Sequence, residues 1–365
     1  MKPRHDRIPA GPSAGPGEPL PAGPPVGVAV LGYGPWGTNH ARALTRTRGA
    51  RLAGIVEPDP HRRAAARAAH PGVPVLADAR DALRDPDTEA VVVATPARTH
   101  PEVAARVIGA GRHVLVEKPF AQRGRDAERL LRAAGEAGVV AMAGHTFLYS
   151  RPVLNIARML RTGQLSAPLF VRSERLGSRR HPDCGALWNL APHDVSILLH
   201  VLDSPVVSLT ARSHVFGRGE HDDATGIDLE FASGAGAVVQ VSWCATEKRR
   251  ALSVRGEDWT VDYRMRSGGD DLTLAFDAGS ERPVPERLRR ALRRGLDVDT
   301  DGRVRYEEPL QGELEHFALC CRTGRTPRSG AWHAAETSRV LEAAARSAAA
   351  GGARVGLTPG TGLAA

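Results

Sequence analysis

Three glycines and one acid have the spacing that most suggests chemistry: Gly32, Gly34, Gly37 and Glu57. The glycines sit in GYGPWG, between the apolar run Val26–Leu31 and the helix-like HARALTRTRG. Glu57 closes a second apolar run, LAGIV, twenty residues beyond Gly37. Strand, glycine-rich turn, helix, strand and acid is the order that binds a dinucleotide. Gly32 allows the tight turn, Gly34 lets the backbone approach a pyrophosphate, and Gly37 lets the helix pack closely. Free N–H groups at the helix start favour the anion. Tyr33, Pro35 and Trp36 fill the rest of the turn and belong to the same binding loop. Glu57 can accept hydrogen bonds from an adenosine ribose and would repel a 2′-phosphate, which favours NAD; NADP is the alternative, through His61 to Arg63. In a chain with 39 glycines a bare G-x-G-x-x-G is weak, and the rival reading is an ordinary β–α turn.

The elements that must position this loop follow from pattern. Short apolar runs at Val26–Leu31, Leu52–Val56, Val73–Leu76, Ala90–Ala94, His113–Val116 and Val139–Ala143 read as strands. Helices fall between them, at Thr38–Thr47, His61–Ala69, Asp78–Leu83, Pro101–Ala110 and Gly124–Ala137. Unalternated apolar strands separated by helices predict a doubly wound parallel sheet covered on both faces. The pattern then changes. Helices at Pro152–Thr162 and Trp188–Leu202 flank a run at Leu169–Leu176, and strands follow at Val206–Val215, Thr225–Phe231, Gly236–Cys244, Ala251–Arg255, Trp259–Tyr263 and Leu272–Phe276. This predicts an α+β domain with a mostly antiparallel sheet. Helices at Gly312–Arg322 and Ala334–Ala349 end it. The expected division is a disordered Pro/Gly-rich tail over 1–24, a nucleotide domain over 25–145, a substrate and oligomerisation domain over 146–350, and a loose tail over 351–365.

Composition excludes several classes. The 365 residues carry 42% hydrophobic but only 4% aromatic side chains, so the cores lean on Ala, Val and Leu. The formal charge of +8 is spread along the chain, without the basic patch or aromatic platform of a nucleic-acid binder. Cys184, Cys244, Cys320 and Cys321 form no C-x-x-C pair, so neither a metal site nor a disulfide framework is expected. DVDTDG lacks the later Glu of a calcium loop, and RLRRALRRG reads as a solvated helix. No run reaches membrane-spanning length and no secretion signal opens the chain, so a soluble, cytoplasmic, reduced protein is expected.

Three further stretches carry chemistry: ATPARTH (Ala94 to His100) and EKP (Glu117 to Pro119) at strand ends, and GALWNLAPHDVSILLHVL (Gly185 to Leu202) in the second domain. Ligands bind beyond the carboxyl ends of parallel strands, so the first two face the same crevice as GYGPWG. With all four stretches in hand, the chain from residue 26 to about 350 resembles the glucose-fructose oxidoreductase / inositol dehydrogenase / MocA family. Its W-x-L-A-P-H-D form is most similar to dehydrogenases of nucleotide sugars. The resemblance implies a Rossmann domain followed by an α+β domain with a large open-faced sheet, and homodimers or homotetramers formed through that sheet.

From residue type alone, Lys118 reads as a surface lysine and His193 as a helix histidine satisfied by packing. The resemblance makes them the active-site lysine and the catalytic histidine. A lysine ammonium stabilises developing alkoxide, and an imidazole suits proton transfer near neutral pH. Many members carry Asp four residues before the histidine, where this chain has Asn189, which on a helix shares a face with His193. Asn can orient an imidazole but supplies no charge. Thr95, Pro96, His100 and Glu117 match the cofactor loops, and His145, Tyr149, Trp188 and Arg179 are substrate-pocket candidates, with Arg179 and Arg180 suited to an anion. Asp194, on another face of the helix, is a weak substitute for the family's aspartate, and the rival reading is a helix cap or a solvated acid. Trans is the default for Lys118–Pro119, with cis as the alternative.

The expected function is NAD-dependent oxidation of a secondary hydroxyl on a sugar, nucleotide sugar, aminosugar or cyclitol. Its rivals are an NADPH-dependent keto-sugar reductase and a non-catalytic nucleotide-sensing protein on the same fold.

Overall fold

The computed structural model describes residues 23–178, 180–181, 184–216, 219–265, 271–276 and 308–358. Most of the expected N-terminal tail, the charged segment 281–305, Arg179 and the last residues of the C-terminal tail lie outside this set.

The first sheet has six parallel strands: β1 (Val26–Leu31), β2 (Ala50–Val56), β3 (Val75–Leu76), β4 (Ala90–Val93), β5 (His113–Glu117) and β6 (Ala141–Gly144). Their order is β3-β2-β1-β4-β5-β6. The chain reverses its direction of travel between β1 and β4, so the crevice opens beyond the ends of those two strands. Val26, Val28, Ala29 and Val30 are fully buried, because helices cover both faces. The helices are α1 (Pro35–Leu44), α2 (Pro60–Ala69), α3 (Ala79–Arg84), α4 (His100–Gly109) and α5 (Gly124–Glu136). Helix α1 begins three residues before the expected Thr38. Pro35 is placed in its first turn, where a missing N–H costs nothing.

Helix α6 (Arg151–Arg161) leads into the second sheet. Its strands are β7 (Phe170–Leu176), β8 (Val206–His214), β9 (Ala224–Phe231), β10 (Gly236–Ser242), β11 (Arg249–Arg255), β12 (Trp259–Arg264), β13 (Asp271–Phe276) and β14 (Val355–Gly356). The order is β13-β12-β11-β7-β10-β9-β8-β14, antiparallel except for the β7–β10 pair. Strict alternation marks its two faces. On β9, Thr225, Ile227, Leu229 and Phe231 point inward, whereas Asp228 and Glu230 are exposed. Helix α7 (Ala186–Leu202) packs on the inner face of this sheet.

Two boundaries differ from expectation. Val355 and Gly356 pair with Leu209 and Ser208, so the region after 350 is not wholly a loose tail. Helices α8 (Pro309–Thr323) and α9 (Ala331–Ala349) also pack back on the nucleotide domain, against α1 and α5. Gly124 N–H donates to the Glu342 carboxylate at 3.0 Å, and Ala334 and Ala335 join the core beneath α5. The second half of the chain therefore clamps the first. Among the described residues, no helix is long and apolar enough to cross a membrane.

Candidate active site

The glycine turn has the shape its spacing predicts. Gly32 has φ +91°, and a Cβ there would meet the Ala94 carbonyl oxygen at 2.7 Å. A Cβ on Gly37 would run into the Gly32 carbonyl. A Cβ on Gly34 would meet nothing within 4 Å, so this is the open side of the turn, where a pyrophosphate can approach. Helix α1 has no acid in its first turn and no side-chain cap, and its first N–H groups point into that space. Trp36 stands 39% exposed at the rim. Tyr33 is buried against His70, and its N–H donates to Glu57 Oε2 at 2.8 Å. Asp59 N–H donates to Glu57 Oε1 at 2.9 Å. Glu57 thus ties the glycine turn to β2 and retains a lone pair on each oxygen for a ribose. Arg63 donates to the Glu57 and Pro58 carbonyls, so it is committed to backbone and not held out for a 2′-phosphate. These residues fit an adenine dinucleotide without a 2′-phosphate.

Two residues expected at the cofactor are struts instead. His100 is buried between the Thr95 and Pro119 carbonyl oxygens, at 2.8 and 2.9 Å, and locks the β4 loop to the β5 loop. Thr95 also accepts from the Thr99 hydroxyl, and Pro96 starts the short 3-10 segment that follows. Glu117 is buried, with one oxygen 2.7 Å from His40 Nε2 and the other accepting from Lys118 N–H. Burial would raise the Glu117 carboxyl, but His40's hydrogen bond and charge offset this and hold it below the usual range. The Lys118–Pro119 bond is cis.

The Lys118 side chain crosses to the second domain. Its Nζ donates to Asn189 Oδ1 at 2.9 Å and to the Asn189 carbonyl at 3.0 Å. This corrects the expected Asn189–His193 pairing: the asparagine orients the lysine. Burial lowers the Lys118 ammonium; Glu117 raises it in part and Arg175 lowers it again. One helical turn on, the His193 ring meets Phe147 edge-on at 4.8 Å, and its Nδ1 is buried without a partner among the described residues. Burial first, then the charges of Arg175, Lys118 and Arg250, push this imidazole well below 6.5. Both side chains are therefore biased toward their neutral forms.

The rest of the pocket departs from expectation. Asp194 neither caps a helix nor faces water. It accepts from Ser173 Oγ at 2.6 Å and from Arg175 Nε at 2.7 Å, buried beside His193. Tyr149 is packed in the core, its hydroxyl 3.3 Å from Ser329 Oγ and its ring beneath Arg328, so it does not line the pocket. Arg180 is paired with Asp223. His145 is buried edge-on to His333 at 5.3 Å, with neither nitrogen bonded among the described residues. Burial, then His333 and Lys118, push its imidazole well below 6.5. Trp188 is half-buried at the start of α7. That helix is buttressed by Asp222, whose carbonyl and carboxylate accept from Ala186 N–H and Leu187 N–H, and only a glycine at 185 leaves room for the carboxylate. Among the described residues, no group of three His, Cys, Asp or Glu is placed to hold a metal.

Residues 26–145 match the model of an oxidoreductase family with an NAD-binding Rossmann fold, and residues 153–262 match the GFO/IDH/MocA C-terminal domain. The chain belongs to the GFO/IDH/MocA family. It is an NAD-binding oxidoreductase with the two-domain fold of that family. An inositol 2-dehydrogenase of Saccharopolyspora erythraea is 27% identical, with 89% of this chain and 94% of that protein covered. The WlbA dehydrogenase of Bordetella pertussis, crystallised with NADH and UDP-GlcNAcA, is 25% identical with a TM-score of 0.78, over 92% of this chain and 98% of that one. An enzyme of gentamicin A biosynthesis, crystallised with NAD, is 28% identical with a TM-score of 0.76, over 93% and 99%.

Four residues of this family member escaped sequence reasoning: His40, Phe147, Arg175 and Arg250. Arg175 left a usable signal. It alternates with Val171 and Ser173 on the inward face of β7, where an arginine must find a buried partner. The other three left none, because their roles depend on contacts between distant segments.

Proposed function

We propose that this enzyme oxidises a secondary hydroxyl of a sugar, nucleotide sugar, aminosugar or cyclitol to a ketone. The observation that carries the reading is Lys118 Nζ, held by Asn189 at 2.9 and 3.0 Å at the mouth of the crevice that the glycine turn opens onto. NAD, when bound, supplies the acceptor for the hydride. The protein must receive the other product of that oxidation, the hydroxyl proton. Neutral Lys118, favoured by burial, takes it from the oxygen. His193, neutral and adjacent, donates its N–H to the oxygen of the same hydroxyl, fixes its direction and stabilises the developing alkoxide. Phe147 and the walls of α7 exclude water, which strengthens both contacts. The inositol and nucleotide-sugar dehydrogenases among the relatives support this substrate range. Glu57, which takes the Tyr33 and Asp59 N–H groups and presents its carboxylate where a 2′-phosphate would lie, favours NAD over the NADPH-dependent reductase reading.

The test pairs turnover with binding. Lys118→Ala is expected to lose about 10³-fold in kcat, within the usual range for a general base, while NADH binds as before. Full turnover in that variant would remove Lys118 from the chemistry. NADH binding with no hydride transfer across a panel of sugars and cyclitols would favour the nucleotide-sensing alternative. The open face of the second sheet, where Phe170 is 43% exposed, supports pairing of two copies. Light scattering at a monomer's mass would exclude that.

A further inference from the structure

We propose that His40 is a positioning residue for Lys118: from the helix that cradles the cofactor it anchors the Glu117 carboxylate, and that carboxylate gives the lysine its strength as a base. This rests on the dehydrogenase reading and adds the part of the same site that lies behind the lysine.

A buried base has two opposed requirements. Taking Lys118 out of water favours the neutral amine, which is the form that can accept a proton. A general base works best with a pKa near the working pH, so burial left unchecked would give an amine too weak to take a hydroxyl proton. Its neighbours across the crevice do not restore that strength. Asn189 offers Nζ two oxygens without charge. Arg175 lowers the ammonium further. His145, His193 and His100 lie within electrostatic reach, and burial lowers each of them toward the neutral ring. The largest restoring influence is Glu117, with Cys184 after it.

Glu117 can act this way only while it is ionised. It is 4% exposed, and burial works to protonate it. A second buried acid, Glu313 of α8, shows where that leads. Its Oε2 accepts from the Thr146 hydroxyl at 2.9 Å, and its Oε1 has no partner among the described residues. Burial first, then Glu117, push the Glu313 carboxyl well above the usual range.

Glu117 escapes the same fate through His40. That imidazole is fully buried on α1, with Nε2 2.7 Å from Glu117 Oε1, while the Lys118 N–H donates to Oε2 at 3.0 Å. Neighbouring residues of an extended chain point to opposite faces, so Glu117 turns toward α1 as Lys118 turns toward α7. Strand β6 closes the remaining side: a Cβ on Gly144 would meet the Glu117 Cα at 3.1 Å and its carboxyl carbon at 3.5 Å. Trp36 lies one helical turn before His40, with the rings 6.3 Å apart, at the rim of the glycine turn. One helix thus offers its N-terminus to the cofactor and its second turn to the carboxylate behind the lysine.

The experiment titrates the Lys118 amine directly. The chain has three lysines, Lys2, Lys118 and Lys248, so NMR of enzyme isotope-labelled at the lysine ε-carbon resolves each, with Lys118 assigned by its loss in Lys118→Ala. The measurement needs no turnover and is made on variants that still bind NADH. Glu117→Gln should lower the Lys118 midpoint by about 1 pH unit, the least that an adjacent opposite charge is ordinarily worth. His40→Leu should lower it as far, because the unanchored carboxyl takes up a proton. His40→Gln, whose amide nitrogen replaces Nε2 as a donor, should restore most of the shift. The double variant His40→Leu, Glu117→Gln should move no further than Glu117→Gln alone, since both act through one charge. A midpoint unmoved by His40→Leu would overturn the proposal, as expected of a residue that only fills space. So would additive shifts in the double variant, or a His40→Gln enzyme displaced as far as His40→Leu. With the substrate found in the sugar and cyclitol panel, the acid limb of kcat/KM should follow the midpoint downward while its plateau falls. The two readings fail differently. A midpoint that moves while the limb stays would sink only Lys118 as the base, and an unmoved midpoint in an active enzyme would sink only the role of His40.

Discussion

In the nucleotide domain Gly32, Gly34 and Gly37 shape the crevice with backbone alone, and one contiguous turn holds all three. In the second domain the pocket floor is built from a buried ion pair and its neighbours: Asp194 from α7, Arg175 from β7, Lys118 reaching in from the end of β5, and Phe147 from the segment after β6. The first arrangement is sterically determined and locally encoded. The second is electrostatic and assembles only when distant segments meet. The two should therefore break in different ways. Damage to the turn should be felt through space and cofactor affinity. Damage to the floor should be felt through uncompensated charge.

The largest effect is expected at Asp194. Asp194→Ala leaves a guanidinium buried beside His193 without its partner, which typically costs about 3–5 kcal/mol. Urea unfolding of the variant should reveal that loss, while the folded fraction keeps its affinity for NADH, because the cradle lies on other elements. Replacing both partners by apolar residues (Asp194→Leu, Arg175→Met) should recover most of the stability. A single variant as stable as the parent would mean that Arg175 has a second anchor.

The glycine turn offers a sharper contrast, within one loop. Gly37→Ala drives a methyl into the Gly32 carbonyl, where backbone must move, and should cost about 2–3 kcal/mol. Gly34→Ala meets no neighbour, and its φ of −76° suits any residue, so stability should change by no more than about 0.5 kcal/mol. Its methyl nevertheless occupies the space through which the pyrophosphate approaches, and NADH affinity should fall about tenfold. Thermal melts with and without NADH separate the two effects. Equal destabilisation by both substitutions would refute the assignment of Gly34 to ligand approach.

What could be read beforehand follows the same division. The glycine turn, Glu57 and the parallel sheet were legible because each depends on residues near in sequence: a covered strand is continuously apolar, and a tight turn demands glycine. The open face of the second sheet was implied by the family resemblance alone, and the alternation of β9 agrees with it. The roles of Asn189, Asp194, Tyr149 and His100 were misjudged because residue type leaves the partner open. Asn189 shares a helix face with His193, yet Lys118 arrives from 71 residues away and takes both of its oxygens. Asp194 stays open between a dyad substitute, a cap and a solvated acid in the sequence, because its partner lies on a strand across the domain. The return of α8 and α9 onto the nucleotide domain was hidden for the same reason: their apolar faces specify burial and not against what.

Asn189 offers the finest test, because it lies where the two regimes meet. The lysine needs acceptors to hold it, but a proton acceptor must also be able to lose its charge. Asn189 supplies two oxygens and no negative charge, so it orients Nζ without stabilising the ammonium beyond what Glu117 does. Asn189→Asp places a carboxylate at the same distance. It should raise the Lys118 pKa, because an opposite charge favours the ammonium form. In the proposed mechanism neutral Lys118 is the working form, so the acid limb of kcat/KM should move upward by about 1 pH unit, with the alkaline plateau retained. Asn189→Ala should instead lower kcat at every pH, through a misdirected lysine. An Asn189→Asp enzyme with an unmoved acid limb would mean that Lys118 is not the group titrating in that limb, and would pass the proton to His193.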